Sequence, residues 1–105
     1  MVYVNGAPAG VIKETSEGYV FTYNEKHLLD PLARPVSLTL PKRAEPYISE
    51  TLFPFFRGLL AEGPLREIQC RKLRIDETDN FGLLLKTTGV DTVGNVTVRE
   101  NQNAL

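Results

Sequence analysis

A change of hydrophobic period near residue 50 constrains this chain more than any single motif does. Before that point, apolar and polar residues alternate. Tyr19, Phe21 and Tyr23 fall on one side and Val20 and Thr22 on the other, and Val36, Leu38 and Leu40 alternate with Ser37 and Thr39. This two-residue repeat belongs to strands with one buried face. After it, Leu52, Phe53, Phe56, Leu59 and Leu60 recur at three- and four-residue spacing, which is the repeat of an amphipathic helix. Alternation returns at Val96 and Val98. Strands, then helices, then a returning strand predict an α+β fold. Its small antiparallel sheet has about five strands, from the N-terminal half plus a C-terminal strand, and packs with three short helices.

Local signals set the boundaries. Val2–Val4 and Gly10–Ile12 flank Asn5-Gly6, a dipeptide suited to a tight hairpin turn, although Pro8 argues for a longer connection. Glu25–Leu29 is a weak helical turn ended by Asp30-Pro31. Pro35 and Pro41 bracket a strand over Val36–Leu40, with Val36, Leu38 and Leu40 facing the core, and Lys42–Ser49 reads as a polar loop. The first long helix is expected to begin near Thr51 as its cap and to stop at Ala61-Glu62-Gly63, Gly63 being left-handed. Pro64 opens a second helix, with Leu65, Ile68 and Leu73 inside and Arg66, Arg71, Lys72 and Arg74 outside. Asp79 or Thr78 caps a third, in which Phe81, Leu84 and Leu85 share a face and which Gly89 stops.

Composition then excludes functions. A chain of 105 residues is one domain, expected over residues 1–100 with 101–105 as a frayed tail, so a two-lobed enzyme does not fit. Twelve Lys and Arg against thirteen Asp and Glu disfavour a generic nucleic-acid binder. The stretch Arg57–Arg74, with five cations and two acids, is a modest basic patch that reads first as a solvated helix face. No long apolar run suggests a secretion signal or a membrane span, so a cytoplasmic protein without membrane contact is the expectation.

Chemistry-bearing constellations are scarce. A single cysteine, Cys70, reads as a buried small hydrophobe, and His27 as a surface residue of a polar loop. Asp76, Glu77 and Asp79 read as helix-capping acids. No catalytic, cofactor or metal site is expected, and the chain reads as a non-enzyme. The tight bend Glu62-Gly63-Pro64-Leu65 stands out. Pro64 stiffens it, and Leu65 is either core or an exposed apolar tip for a partner.

Taken in order, these residues resemble the N-terminal domain of the HipA-type serine/threonine kinases of bacterial toxin–antitoxin systems. The resemblance rests on Tyr3-Val4-Asn5-Gly6 with Gly10, on Phe21-Thr22-Tyr23, and on Val36-Ser37-Leu38-Thr39-Leu40-Pro41. It continues through Phe55-Phe56-Arg57-Gly58-Leu59-Leu60-Ala61-Glu62-Gly63 with Arg66, Phe81-Gly82-Leu83-Leu84, and Gly89-Val90-Asp91-Thr92-Val93-Gly94-Asn95-Val96. Ala61, Arg57 and Asn95 depart from the family's usual residues.

The family's ATP-binding and catalytic residues lie downstream of this domain, so none carries over. In split systems of this family a small HipS protein resembling this domain accompanies a shortened kinase, HipT, and a DNA-binding protein, HipB. The resemblance therefore implies an antitoxin that binds and inhibits a HipT-like kinase, with a HipB-like protein as a further member of the complex. A second reading is a subunit that completes or stabilises the kinase. A third, an unrelated nucleic-acid-binding domain using Arg66–Arg74, is opposed by the charge balance. The partner-binding residues expected from the bend are Arg57, Glu62, Gly63, Pro64, Leu65 and Arg66.

Overall fold

The computed structural model describes residues 1–87 and 96–99. Five antiparallel strands form one sheet in the order β4-β3-β2-β1-β5. They are β1 (Val2–Val4), β2 (Ala7–Thr15), β3 (Gly18–Tyr23), β4 (Tyr47–Ser49) and β5 (Val96–Val98). The helices are α1 (Glu25–Leu29), α2 (Pro54–Arg57), α3 (Gly63–Leu73) and α4 (Asn80–Thr87). The α+β architecture is as expected, with the weak turn at Glu25–Leu29 forming a fourth helix. The expected stop at Gly89 and the tail lie outside the described residues.

Asn5 and Gly6 have φ of 52° and 83°, and Val4 pairs with Ala7. The hairpin is therefore closed by two residues, both left-handed, as a type I′ turn requires. Pro8 does not lengthen the turn. The irregularity falls after it instead, where the register shifts between the Val2–Gly10 and Tyr3–Pro8 pairs. A bulge accommodates a residue that has no N–H to offer the ladder. β5 returns beside β1, pairing Val2 with Val98 and Val4 with Val96. The Met1 amino group donates to the Arg99 carbonyl at 2.8 Å.

The alternation sorts the sheet. Val2, Val4, Ile12, Phe21, Tyr23, Val96 and Val98 are buried in one core cluster with Leu52, Phe53, Phe56, Leu60, Cys70, Leu83 and Leu84. Phe21 lies at its centre, its ring centroid 4.9 Å from Tyr23 and 5.6 Å from Phe56. Both contacts are tilted or edge-on, as aromatic quadrupoles prefer.

Two expectations in the middle of the chain are corrected. Val36–Leu40 is a turn, closed by a bridge between Ser37 and Leu40, and the fourth strand is β4. Val36 and Leu40 are buried, but Leu38 is 96% exposed. The cause is Tyr23. Its hydroxyl accepts from the Val36 N–H at 2.9 Å and donates to the Leu40 carbonyl, pulling both ends inward so that the residues between bow out. Ser37 Oγ stabilises the turn by accepting from the Thr39 N–H at 3.2 Å. His27 is likewise buried, at 7% exposure, rather than superficial. Its ring stacks on Tyr23 at 5.7 Å, and its Nε2 donates to the Arg34 carbonyl at 2.7 Å.

Candidate partner-binding surface

The segment from Arg57 to Arg74 is built around a short helix and a longer one. α2 starts at Pro54, with Phe53 rather than Thr51 in the cap position. Proline is at home in a first turn, where its missing N–H is not needed. The helix ends at Arg57, and Leu59 and Leu60 follow in tight turns that donate to Phe56 and Arg57. The apolar spacing read in the sequence is therefore real, and Leu52, Phe53, Phe56 and Leu60 are buried, but only one helical turn is regular.

Gly63 is left-handed as expected, with φ of 62°, but it opens α3 instead of ending α2. Glu62, extended, precedes it in the cap position, and Pro64 follows within the first turn. Arg57, Glu62, Gly63 and Pro64 are all exposed. Leu65 is 57% exposed, which excludes the core reading. Ile68 and Leu73, expected inside, are each 44% exposed.

The inward face of α3 carries Arg66, Gln69 and Cys70, of which only Cys70 is fully buried. These residues sit three and four apart, on one helical face. Two of the three are polar, which hides the face from a hydropathy reading. Arg66, expected on the outside, is half-buried and spans to the next element. Its guanidinium donates to the Glu77 carbonyl at 2.5 and 3.2 Å and to Asn80 Oδ1 at 2.7 Å. Gln69 Oε1 is buried without a hydrogen-bond partner among the described residues.

Of the acids before α4, Asp76 and Asp79 use their carboxylates structurally, as expected, while Glu77 contributes its backbone carbonyl. Asp79 Oδ1 accepts from the Gly82 N–H at 2.9 Å, making Asp79 the cap in preference to Thr78. Asp76 Oδ1 accepts from the Thr78 N–H and hydroxyl at 2.8 and 2.7 Å, and these bonds hold its carboxyl below the usual carboxylate range. That turn presents the Glu77 carbonyl to Arg66. The bend is thus braced from behind by Arg66, while Leu65 stands forward.

Between α3 and the end of α4 lies an open groove of about 470 Å³, lined by Leu65, Gln69, Lys72, Leu73, Lys86 and Thr87. No group of three His, Cys, Asp or Glu side chains among the described residues is placed to hold a metal. No described helix is long and apolar enough to cross a membrane. The arrangement offers contact chemistry: a stiff apolar tip, flanking charge and a shallow groove.

Comparison with known proteins gives this surface its context. The family model of the HipA N-terminal domain matches residues 1–99, and the chain belongs to that family. A solved structure of the N-terminal domain of HipA toxin is 36% identical. It superposes with a TM-score of 0.69, over 96% of this chain and 91% of that one. An uncharacterized protein of Haemophilus influenzae is 36% identical over 96% of this chain and 91% of its own length. Two Sinorhizobium fredii proteins, "Putative kinase Y4mE" and "Putative kinase Y4dM", are 35% and 30% identical. This chain spans only 21% and 26% of their lengths.

Proposed function

We propose that this chain is an antitoxin-type binding protein that associates with a HipT-like serine/threonine kinase and inhibits it in trans. One relationship of size carries the reading. The same domain is about a fifth of one relative named as a kinase, yet makes up 91% of the Haemophilus relative. A domain that accompanies a kinase body within one chain is suited to meet such a body as a separate molecule. A HipB-like DNA-binding protein is a further member of the proposed complex, and the cytoplasm is its proposed location.

The inhibitory element in this reading is the bend. Leu65 enters or props open the kinase cleft, flanked by Arg57 and Glu62, with Gly63 and Pro64 fixing its direction. Arg66 acts from behind by holding α3 against the turn at Glu77. A preformed tip loses little conformational freedom on binding, which favours a small apolar anchor.

A second reading is a subunit that completes the kinase, favoured by the occurrence of this domain within the longer Sinorhizobium chains. The two readings differ in sign. The rate of phosphoryl transfer by the protein encoded in the adjacent reading frame, where that protein is a HipA-type kinase, measured with and without this chain, separates them. Suppression supports inhibition, stimulation supports completion, and no effect or a neighbour that is no kinase overturns both.

A further inference from the structure

Three leucines outside the bend are more exposed than Leu65 within it. Leu29 is 74% exposed, Leu32 89% and Leu38 96%. Single exposed apolar residues are ordinary, but these three fall within one segment, Leu29 to Leu38, on a backbone braced at several points. The Tyr23 hydroxyl holds Val36 and Leu40 on either side of Leu38. His27 Nε2 fixes the Arg34 carbonyl. Lys42 Nζ donates to the Asp30 and Ala33 carbonyls, both at 2.9 Å, closing the turn that carries Leu32, and Asp30 Oδ1 accepts from the Leu32 N–H at 2.9 Å. Turn apices ordinarily carry Gly, Asn, Asp or Ser. A leucine with nearly all its surface in water contributes little to folding, so the bracing does not serve the burial of these side chains.

We propose that the Leu29–Leu32–Leu38 segment is the principal docking surface of this chain, and that its occupant is the body of a HipA-type kinase. The inference rests on the binding reading above and adds a second contact to it: the leucine segment supplies most of the affinity, and the bend supplies the inhibition together with a smaller share of the affinity. The occupant follows from the relatives' lengths. In the Sinorhizobium proteins the matched region is only 21% and 26% of the chain, so a domain of this kind has a body to abut. Three preorganised leucines suit an apolar pocket on that body. They anchor it without the entropic cost of ordering a loop.

The test measures binding and inhibition separately, using the full chain and a HipT-like kinase that lacks this domain. A Leu29→Ser, Leu32→Ser, Leu38→Ser variant is compared with wild type by calorimetric titration, with circular dichroism and thermal melting confirming the fold. The expected result is at least a tenfold weaker Kd, with full inhibition regained at saturating concentration. Binding by wild type with an unchanged Kd in the variant overturns this inference and leaves the binding reading standing. Absence of wild-type binding overturns both. A wild-type homodimer that the substitutions dissociate assigns the segment to a second copy of the chain and overturns the proposed occupant.

Discussion

The Arg66 guanidinium donates to Asn80 Oδ1 at 2.7 Å, so the second residue past the proline of the bend is tied to the first residue of α4. The tie orients the start of α3 and leaves the neighbouring Leu65 facing solvent. Two adjacent residues therefore have opposite duties, one inward and structural, the other outward and free to touch a partner.

Truncating them separates those duties. Leu65→Ala is expected to change stability by no more than about 0.5 kcal/mol, as surface substitutions do. The same change weakens kinase inhibition by about 1–3 kcal/mol as the loss of an interface anchor. Arg66→Ala is expected to cost about 1.5–3 kcal/mol of stability, because it removes charged hydrogen bonds and leaves the Glu77 carbonyl without its guanidinium. Urea denaturation of both variants beside an inhibition titration checks the split.

Removing the Tyr23 hydroxyl tests the turn that replaced a strand. Tyr23→Phe keeps the aromatic packing but leaves the Val36 N–H and Leu40 carbonyl without the hydroxyl that serves them both. Each unsatisfied buried group costs about 1–3 kcal/mol. A loss of about 2–4 kcal/mol in denaturant unfolding is expected, together with faster amide exchange at Val36.

The legibility of the chain followed its chemistry. Strand alternation around Phe21 and helical spacing around Phe56 were readable because apolar burial sets both periods. Val36–Leu40 misled because its alternation is equally compatible with a turn whose two ends are buried. A phenol thirteen residues upstream decides between them, and no local pattern reports it. β4 was missed because only Tyr47 and Ser49 of its three residues are partly buried, at the sheet edge. In α3, Leu65 and Ile68 imitate an inner face, whereas the true one uses Arg66 and Gln69. Gly63-Pro64 marked the bend, but the exposure of Leu65 stayed open in the sequence, and the bracing role of Arg66 required the position of Glu77.

Arg74 ends α3 in a left-handed conformation with φ of 56°, its N–H donating to the Cys70 carbonyl. A side chain in that region costs about 1–2 kcal/mol, which glycine avoids. Arg74 is exposed. Arg74→Gly is therefore expected to raise stability by up to about 1 kcal/mol, visible as a higher thermal midpoint, without changing inhibition.

Acid weakens the brace in a defined direction. The Asp76 carboxyl is held below its ordinary value by the Thr78 N–H and hydroxyl. Its stabilising effect is present above the unfolded-state pKa of about 3.9 and is lost as pH falls through the lower folded value. Asp76→Asn is expected to flatten the decline in thermal midpoint below about pH 4. An identical acid limb in the variant contradicts this assignment.

The central claim is that this HipA N-terminal-family chain restrains a kinase as a separate molecule through the tip at Leu65. The most direct measurement is the initial rate of phosphoryl transfer by a HipT-like kinase that lacks this domain, titrated with wild type and with Leu65→Ala. The account predicts suppression by wild type and a right-shifted curve for the variant at unchanged fold stability. A rate that rises with wild type, or curves that superimpose, contradicts it.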